Sequence, residues 1–386
     1  MLEILILWVV SAFLSFGILG LNYVRNRLAA GGPWNIRRDT DYRPRLSIIV
    51  PTYNECEVIG YKLRNLAKLE YPRDLMEIVF VDSNSTDSTI ESIERFVENN
   101  SDIHKRILVE TERKGKSSAL NLALETCHGD IVVTSDADCF WPPNILARAL
   151  PYLADPGVGA ISGPKKLLNR EDSLVTRSED MYLESMNFVK LGESKSSSTM
   201  LFEGGFSAYK KEALESFDPY LTGSDDCGTV IRLLEKGYKT IMVEEAEFFT
   251  TFPMTWKGRI ALKVRRANQL VGVLKKYVVL LFKNKIRIAR SVVAKNVFMY
   301  LVSPIMFLLF AATTVYVVIE FPLAATSLLI LLVPKARSYV SEVALNYVIM
   351  VYAVLSRLSR RRFVVWSQPE DRALLEEQML VQKGLV

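Results

Sequence analysis

The chain has 386 residues, 24% charged and 49% hydrophobic, with a formal net charge of +5. Its mean hydropathy of +0.15 is too high for a wholly soluble chain with so many charges, so the apolar residues are segregated. Four cysteines with no Cys-x-x-Cys pair, and His104 and His128 with no partner at ligand spacing, exclude a disulfide scaffold and a zinc site. The basic excess is local: no Asp or Glu lies between Glu247 and Glu320, while Lys and Arg recur there. That pattern implies membrane lipids with anionic headgroups as the partner and argues against nucleic acid.

Residues 4–24 carry no charge and are long enough to cross a hydrocarbon core of about 30 Å. Glu3 stands where a signal peptide has basic residues, no small-x-small cleavage site follows, and Arg25 and Arg27 come directly after. These features predict a retained transmembrane anchor, residues 1–25, whose C-terminal side is cytoplasmic by the positive-inside rule.

Residues 43–252 form one domain with a sizeable core. Apolar runs at 46–50 and 77–81 end in Pro51 and Asp82 and read as buried parallel strands, with helical spacing at 58–69 and 87–99. A strand at 106–110, a helix at 117–126 and a strand at 131–134 continue the alternation. The fold class is α/β, a doubly wound, mostly parallel sheet. Ligands collect at the carboxyl ends of such strands, where Thr52, Tyr53, Asn54 and Glu55, then Asp82, then Asp136 and Asp138 converge by topology. The Ser- and Lys-rich tract 193–199 reads as a flexible loop.

Asp136 and Asp138 are two residues apart after an apolar strand, and on a continuing strand they point the same way. Two carboxylates that close repel unless a cation sits between them. Mg²⁺ or Mn²⁺ held by one or two carboxylates completes its shell with water and substrate phosphates, so the pair suggests diphosphate chemistry. A solvated turn carrying two Asp is the bland alternative.

Beyond the domain, residues 253–296 alternate basic residues with Trp256, Leu262, Leu270, Val273, Leu274, Tyr277 and Leu281 at helical spacing. This predicts amphipathic helices lying in the membrane surface. Residues 297–319 form a second apolar run. Residues 321–333 are apolar but short, Pro334-Lys335-Ala336-Arg337 interrupts, and 339–355 resumes with Glu342 and Asn346 inside it; one of these two stretches returns the chain. Transmembrane helices are thus expected within 297–356. Arg357, Arg360, Arg361 and Arg362 mark a cytoplasmic tail, 357–386, which gives three spans of a multi-pass cell-membrane protein with its catalytic domain in the cytoplasm.

Four motifs follow in order: Ser47-Ile48-Ile49-Val50-Pro51-Thr52-Tyr53-Asn54-Glu55, Val79-Phe80-Val81-Asp82-Ser83-Asn84-Ser85-Thr86-Asp87, Lys114-Gly115-Lys116-Ser117-Ser118-Ala119-Leu120-Asn121 and Asp136-Ala137-Asp138. With Glu203-Gly204-Gly205 and Ser224-Asp225-Asp226, their order and spacing resemble the inverting family 2 glycosyltransferases of GT-A fold, over residues 46–269. The flanking apolar segments resemble the membrane-integrated, cellulose-synthase-like branch, and the compact size resembles small archaeal membrane mannosyltransferases.

The resemblance implies a role for each residue. Pro51, Thr52, Tyr53, Glu55 and Asp82 would line the nucleoside pocket of a nucleotide-sugar donor, with Asp82 accepting from the base and Glu55 from a ribose hydroxyl; Asp82 is equally suited to cap the following helix. Lys116 would meet the diphosphate, and Asp136 and Asp138 would hold Mn²⁺ or Mg²⁺. Asp226 aligns with the family's catalytic base, with Asp225 shaping its pKa, although Ser-Asp-Asp is also a helix N-cap pattern. Glu203, Gly204 and Gly205 would approach the acceptor. Processive members carry Gln-x-x-Arg-Trp where this chain has Leu262-Lys263-Val264-Arg265-Arg266. Arg265, with Lys263 or Arg266, would still clamp the diphosphate, but the Trp platform for a growing polymer is missing. The expectation is a non-processive transferase, best matched to GDP-mannose and a lipid-linked glycan or polyprenyl-phosphate acceptor. A processive polysaccharide synthase of the same fold and a non-catalytic membrane scaffold are the alternatives.

Overall fold

The structure is a computed structural model that describes residues 2–99, 103–359 and 374–386. The chain opens with α1 (Leu2–Ala30). The domain then runs through β1 (Leu46–Thr52), α2 (Ile59–Ala67), β2 (Met76–Asp82), α3 (Thr89–Asn99), β3 (His104–Val109), α4 (Lys116–Thr126), β4 (Ile131–Thr134), α5 (Ile145–Ala149), β5 (Val158–Ser162) and β6 (Lys165–Leu167). It continues with α6 (Leu174–Ser196), β7 (Ser207–Lys210), α7 (Cys227–Lys236), β8 (Lys239–Met242) and β9 (Phe248–Thr250). After these come α8 (Trp256–Phe282), α9 (Arg290–Glu320), α10 (Pro334–Leu358) and the short α11 (Glu377–Gln382).

Seven strands form one sheet in the order β3-β2-β1-β4-β7-β5-β8, with β7 antiparallel to both neighbours and the other pairs parallel. The apolar runs leave this sheet no solvent face. Ile48, Val50, Ile78, Phe80 and Val133 point into one core, while Ile49, Val79, Val81 and Val132 point into the other. Each fully buried aliphatic side chain here is worth about 1.5–3 kcal/mol of burial. Strand order reverses at β1: β2 and β3 lie on one side and β4 on the other, so the carboxyl ends of β1 and β4 open a crevice between them.

Three expectations are corrected. The strand before the two aspartates ends at Thr134, as expected, and Asp136 and Asp138 sit in a turn closed by the Cys139 N–H donating to the Asp136 carbonyl at 3.2 Å. The pair therefore converges through this turn and not by the side-chain alternation of a continuing strand. The tract 193–199 is ordered, with Glu193, Ser194, Ser198 and Thr199 buried: Met242 N–H donates to Ser194 Oγ at 2.8 Å, and Thr199 Oγ1 donates to Glu193 at 2.8 Å. Its polar residues satisfy one another and the edge of β8. Pro334 begins α10, because proline at a first helical position lacks only an N–H that would have no partner there.

Among the described residues, three helices are long and apolar enough to cross a membrane: α1, α9 and α10. α1 continues past its apolar run because its second half packs on α6, where a Cβ at Gly192 would lie 2.1 Å from the Asn26 carbonyl oxygen. α10 is fastened at both ends to the part of the chain that carries the sheet. Arg259 binds Glu342 at 2.8 Å, and Arg357 donates to the carbonyls of Asn268 and Thr222 at 2.9 and 2.6 Å. Arg360, Arg361 and Arg362, expected to mark the cytoplasmic end, lie outside the described residues. α8 keeps only part of the expected face outward. Val273, Leu274 and Tyr277 are fully buried in one core with Val230 and Ile231, while Trp256 is exposed as expected, together with Val279 and Phe282.

Candidate active site

A cavity of about 1800 Å³ opens at the crevice between β1 and β4. At one end stand Pro51, Thr52, Tyr53 and Glu55, with the Arg113 guanidinium 3.7 Å from the centre of the Tyr53 ring. Ser83 also lines it, while Asp82 stands just behind the wall. The Asp82 carboxylate accepts from Ser85 N–H at 2.8 Å, Ser85 Oγ at 2.6 Å and Thr52 Oγ1 at 3.2 Å. It therefore fastens the turn before α3, and one further lone-pair site of its four remains in this count.

The centre of the cavity is the charged core. Lys116 is the first residue of α4, preceded by Gly115 at φ 101°, a left-handed conformation that glycine adopts without strain. Its Nζ lies 2.5 Å from Asp136 Oδ1 and 2.7 Å from Asp225 Oδ2. Burial pushes the Asp136 carboxyl up, but the Lys116 ammonium outweighs it, so Asp136 titrates below its ordinary range. Burial and the neighbouring Asp136 charge push Asp138 up. Oxygens of Asp136 and Asp138 and the Cys139 sulfur lie within 4.8 Å of one another. Two hard oxygen donors disposed this way fit Mg²⁺ or Mn²⁺.

Ser224-Asp225-Asp226 leads into α7. Asp226 is its N-cap, accepting from Cys227 N–H at 2.6 Å and Ser224 Oγ at 2.5 Å, both at Oδ1. Burial, against the pull of Lys116, pushes the Asp225 carboxyl up to about 6. Glu203 lines the cavity between Lys165, at 3.2 Å, and Lys190, and these cations overcome burial to hold it well below the carboxylate range.

The motif glycines divide. A Cβ at Gly204 would lie 2.8 Å from Lys116 Nζ and 3.1 Å from Asp136, so its backbone borders the charged core. Gly205, expected at the acceptor, is a packing residue: a Cβ there would lie 2.1 Å from the Phe248 ring, and its carbonyl accepts from Trp141 Nε1 at 2.7 Å. Arg265 and Arg266 both line the cavity, and burial lowers the Arg265 pKa to about 10. Lys263 lines it too, but is tied there to Glu179 at 3.2 Å and Glu342 at 2.9 Å, in a cluster with Arg259. That removes it as a diphosphate clamp.

Several residues here escaped sequence reasoning. Lys165 and Lys190 have no motif, and Lys62 lies fully buried under the aspartate turn. Lys62 did leave a signal, since it falls on the Ile59, Leu63 and Leu66 face of α2, where a charge is out of place.

A family model described as Glycosyltransferase like family 2 matches residues 44–269, more than half of the chain and the whole of this site. The chain belongs to glycosyltransferase family 2. Among its curated relatives, the probable glycosyltransferase YdaM of Bacillus subtilis is 29% identical over 63% of this chain and 59% of its own length. The beta-monoglucosyldiacylglycerol synthase of Synechocystis is 31% identical over 56% and 46%, respectively. A hyaluronan synthase of Streptococcus pyogenes is 26% identical over 52% and 48%. The chain thus spans about half the length of these relatives. The solved mannosyltransferase PcManGT from Pyrobaculum calidifontis, in complex with GDP-Man and Mn²⁺, is 30% identical with a TM-score of 0.78, covering 93% of this chain and 100% of that one. The family 2 domain here therefore has the GT-A fold.

Proposed function

We propose that this family 2 enzyme is a membrane-integrated, inverting, metal-dependent transferase that moves mannose from GDP-mannose to a lipid-linked acceptor without processive elongation. The observation that carries this reading is the course of the cavity. It runs without a break from Tyr53 and Glu55, through Lys116 and Asp136, to Met181 and Met186 of α6, Tyr300 of α9 and Met350 of α10. A soluble donor enters at one end, and an acceptor held in the bilayer reaches the same centre from the other. The match to a mannosyltransferase holding GDP-Man and Mn²⁺ favours that donor.

In this reading Pro51, Thr52, Tyr53 and Glu55 hold the nucleoside, and Asp82, oriented by Ser85 and Thr52, accepts from the base. Lys116, Arg265 and Arg266 offset the diphosphate charge. Asp136 and Asp138 hold the divalent ion, which as a Lewis acid stabilises negative charge on the departing nucleoside diphosphate. The acceptor oxygen bonds to the anomeric carbon as the bond from that carbon to the diphosphate oxygen breaks, and the acceptor proton passes to Asp226. Both hydrogen bonds to Asp226 engage Oδ1, which supports Oδ2 as the oxygen that takes the proton in this reading. A carboxylate is a weak base toward a sugar hydroxyl, so this transfer is concerted with bond breaking. The catalytic domain faces the cytoplasm, the side of Arg25 and Arg27.

The test is a donor panel with purified full-length protein, native lipid extract and Mn²⁺, read as nucleoside diphosphate release and lipid-bound sugar. GDP-mannose should give a labelled lipid with one or a few sugars. Turnover with UDP-sugars alone, or a long homopolymer, overturns the donor or the non-processive assignment respectively.

A further inference from the structure

Lys62 is 0% exposed, on the face of α2 turned toward the aspartate-bearing turn. Its Nζ donates to Ser135 Oγ at 2.6 Å and to the Cys139 carbonyl at 2.6 Å, and lies 4.5 Å from the centre of the Trp141 ring. Ser135 and Cys139 are the residues that flank Asp136-Ala137-Asp138. One turn along the same helix, Asn65 accepts from the Trp141 N–H at 2.9 Å and donates to the Trp141 carbonyl at 2.8 Å. Beyond it, Phe140 exchanges two backbone hydrogen bonds of 2.8 Å with Phe249 of β9. The far end of the turn is thus held by backbone pairing; its shoulders make backbone bonds of their own, Ser135 N–H to the Ile49 carbonyl at 3.1 Å and Cys139 N–H to the Asp136 carbonyl at 3.2 Å, and are joined to each other by the Lys62 ammonium.

A buried lysine costs far more than an apolar residue at the same place unless its charge and all its donors are used. Core packing needs only a leucine or methionine at this point of the Ile59, Leu63 and Leu66 face. What Lys62 adds is a tether between the shoulders of a turn whose two carboxylates repel one another. We propose that Lys62 is a positioning residue for the metal pair, fixing the spacing of Asp136 and Asp138 before the ion and donor arrive. It does not line the cavity and touches no substrate. The inference rests on the reading of Asp136 and Asp138 as the ion's ligands.

The test is Mn²⁺ binding to the purified full chain without donor, followed by the electron paramagnetic resonance signal of free Mn²⁺, for wild type, Lys62→Met, Ser135→Ala and Asp138→Asn. The sign of the change is informative. As a nearby positive charge, Lys62 would weaken cation binding, and its removal would tighten Mn²⁺; as a core filler, its replacement by methionine would leave binding unchanged. A tether predicts weaker binding, about 10- to 100-fold for Lys62→Met, the usual loss when a residue behind a metal ligand is removed. Ser135→Ala keeps the ammonium but removes one of its two anchors, and should shift binding in the same direction by less. It also serves if Lys62→Met fails to fold. Unchanged or tighter binding in the folded variants, with Asp138→Asn having lost it, overturns the role of Lys62 alone. Undiminished binding in Asp138→Asn overturns the metal assignment and this inference together.

Discussion

The Lys116 ammonium stands 2.7 Å from Asp225 and bridges it to Asp136, so one side chain joins the turn after β4 to the cap of α7. Asp136 and Asp225 therefore share this counter-charge. Replacing Lys116 with methionine should lower kcat/KM for the donor by about 10²- to 10³-fold, the scale for losing one preorganised electrostatic group. Arginine should not restore it, because a planar fork does not reproduce a point charge held between two carboxylates. Steady-state nucleoside diphosphate release checks both.

Neighbouring glycines should respond differently. Gly204→Ala meets the movable end of Lys116, so the variant should fold with a near-normal melting temperature but turn over slowly. Gly205→Ala meets the buried Phe248 ring and the Cys139 sulfur, and should lose about 1–3 kcal/mol of stability through overpacking. Thermal unfolding and activity, measured on both variants, separate the two effects.

Arg259, Glu179 and Glu342 join α8, α6 and α10 by ion pairs of 2.8–3.0 Å, with Arg259 and Glu179 almost wholly buried. Arg259→Met strands two carboxylates beside Lys263, and should destabilise by about 3–5 kcal/mol. A drop in melting temperature of the detergent-solubilised protein would show it.

Glu193 supplies a pH dependence. Burial pushes its pKa from 4.5 up to about 7, although Asn296 and Thr199 hydrogen-bond it. The folded state holds a proton that the unfolded chain releases near 4.5, so this stabilisation is full below 4.5 and lost as pH rises through 7. The loss amounts to about 3 kcal/mol. Unfolding measured at pH 5 and pH 8 should show it, and Glu193→Gln, which keeps an acceptor for Asn296, should flatten the difference.

Much of this was legible in the sequence, for identifiable reasons. Strands β1, β2 and β4 are buried on both faces and read as unbroken apolar runs, and the polar residues that end them marked the crevice. What stayed hidden depends on distant partners. The 193–199 tract has a loop's composition, but Ser194, Ser198 and Glu193 are satisfied by Met242, Thr240 and Asn296. Arg265 and Lys263 are two residues apart on one helix and both line the cavity, yet Lys263 is paired there with Glu179 and Glu342. Gly204 and Gly205 are adjacent, and only the position of Phe248 assigns the second to packing. The buried face of α8 was misjudged because its apolar stripe serves the protein core.

The central claim is that donor chemistry occurs at Asp136 and Asp138 with Asp226 as the proton acceptor. Its most direct test is GDP release from GDP-mannose by wild type, Asp138→Asn and Asp226→Asn, in nanodiscs containing native lipid acceptors and Mn²⁺. The account predicts acceptor-dependent release by wild type and a fall of at least about 100-fold in each variant. Release at the wild-type rate by both variants would contradict it.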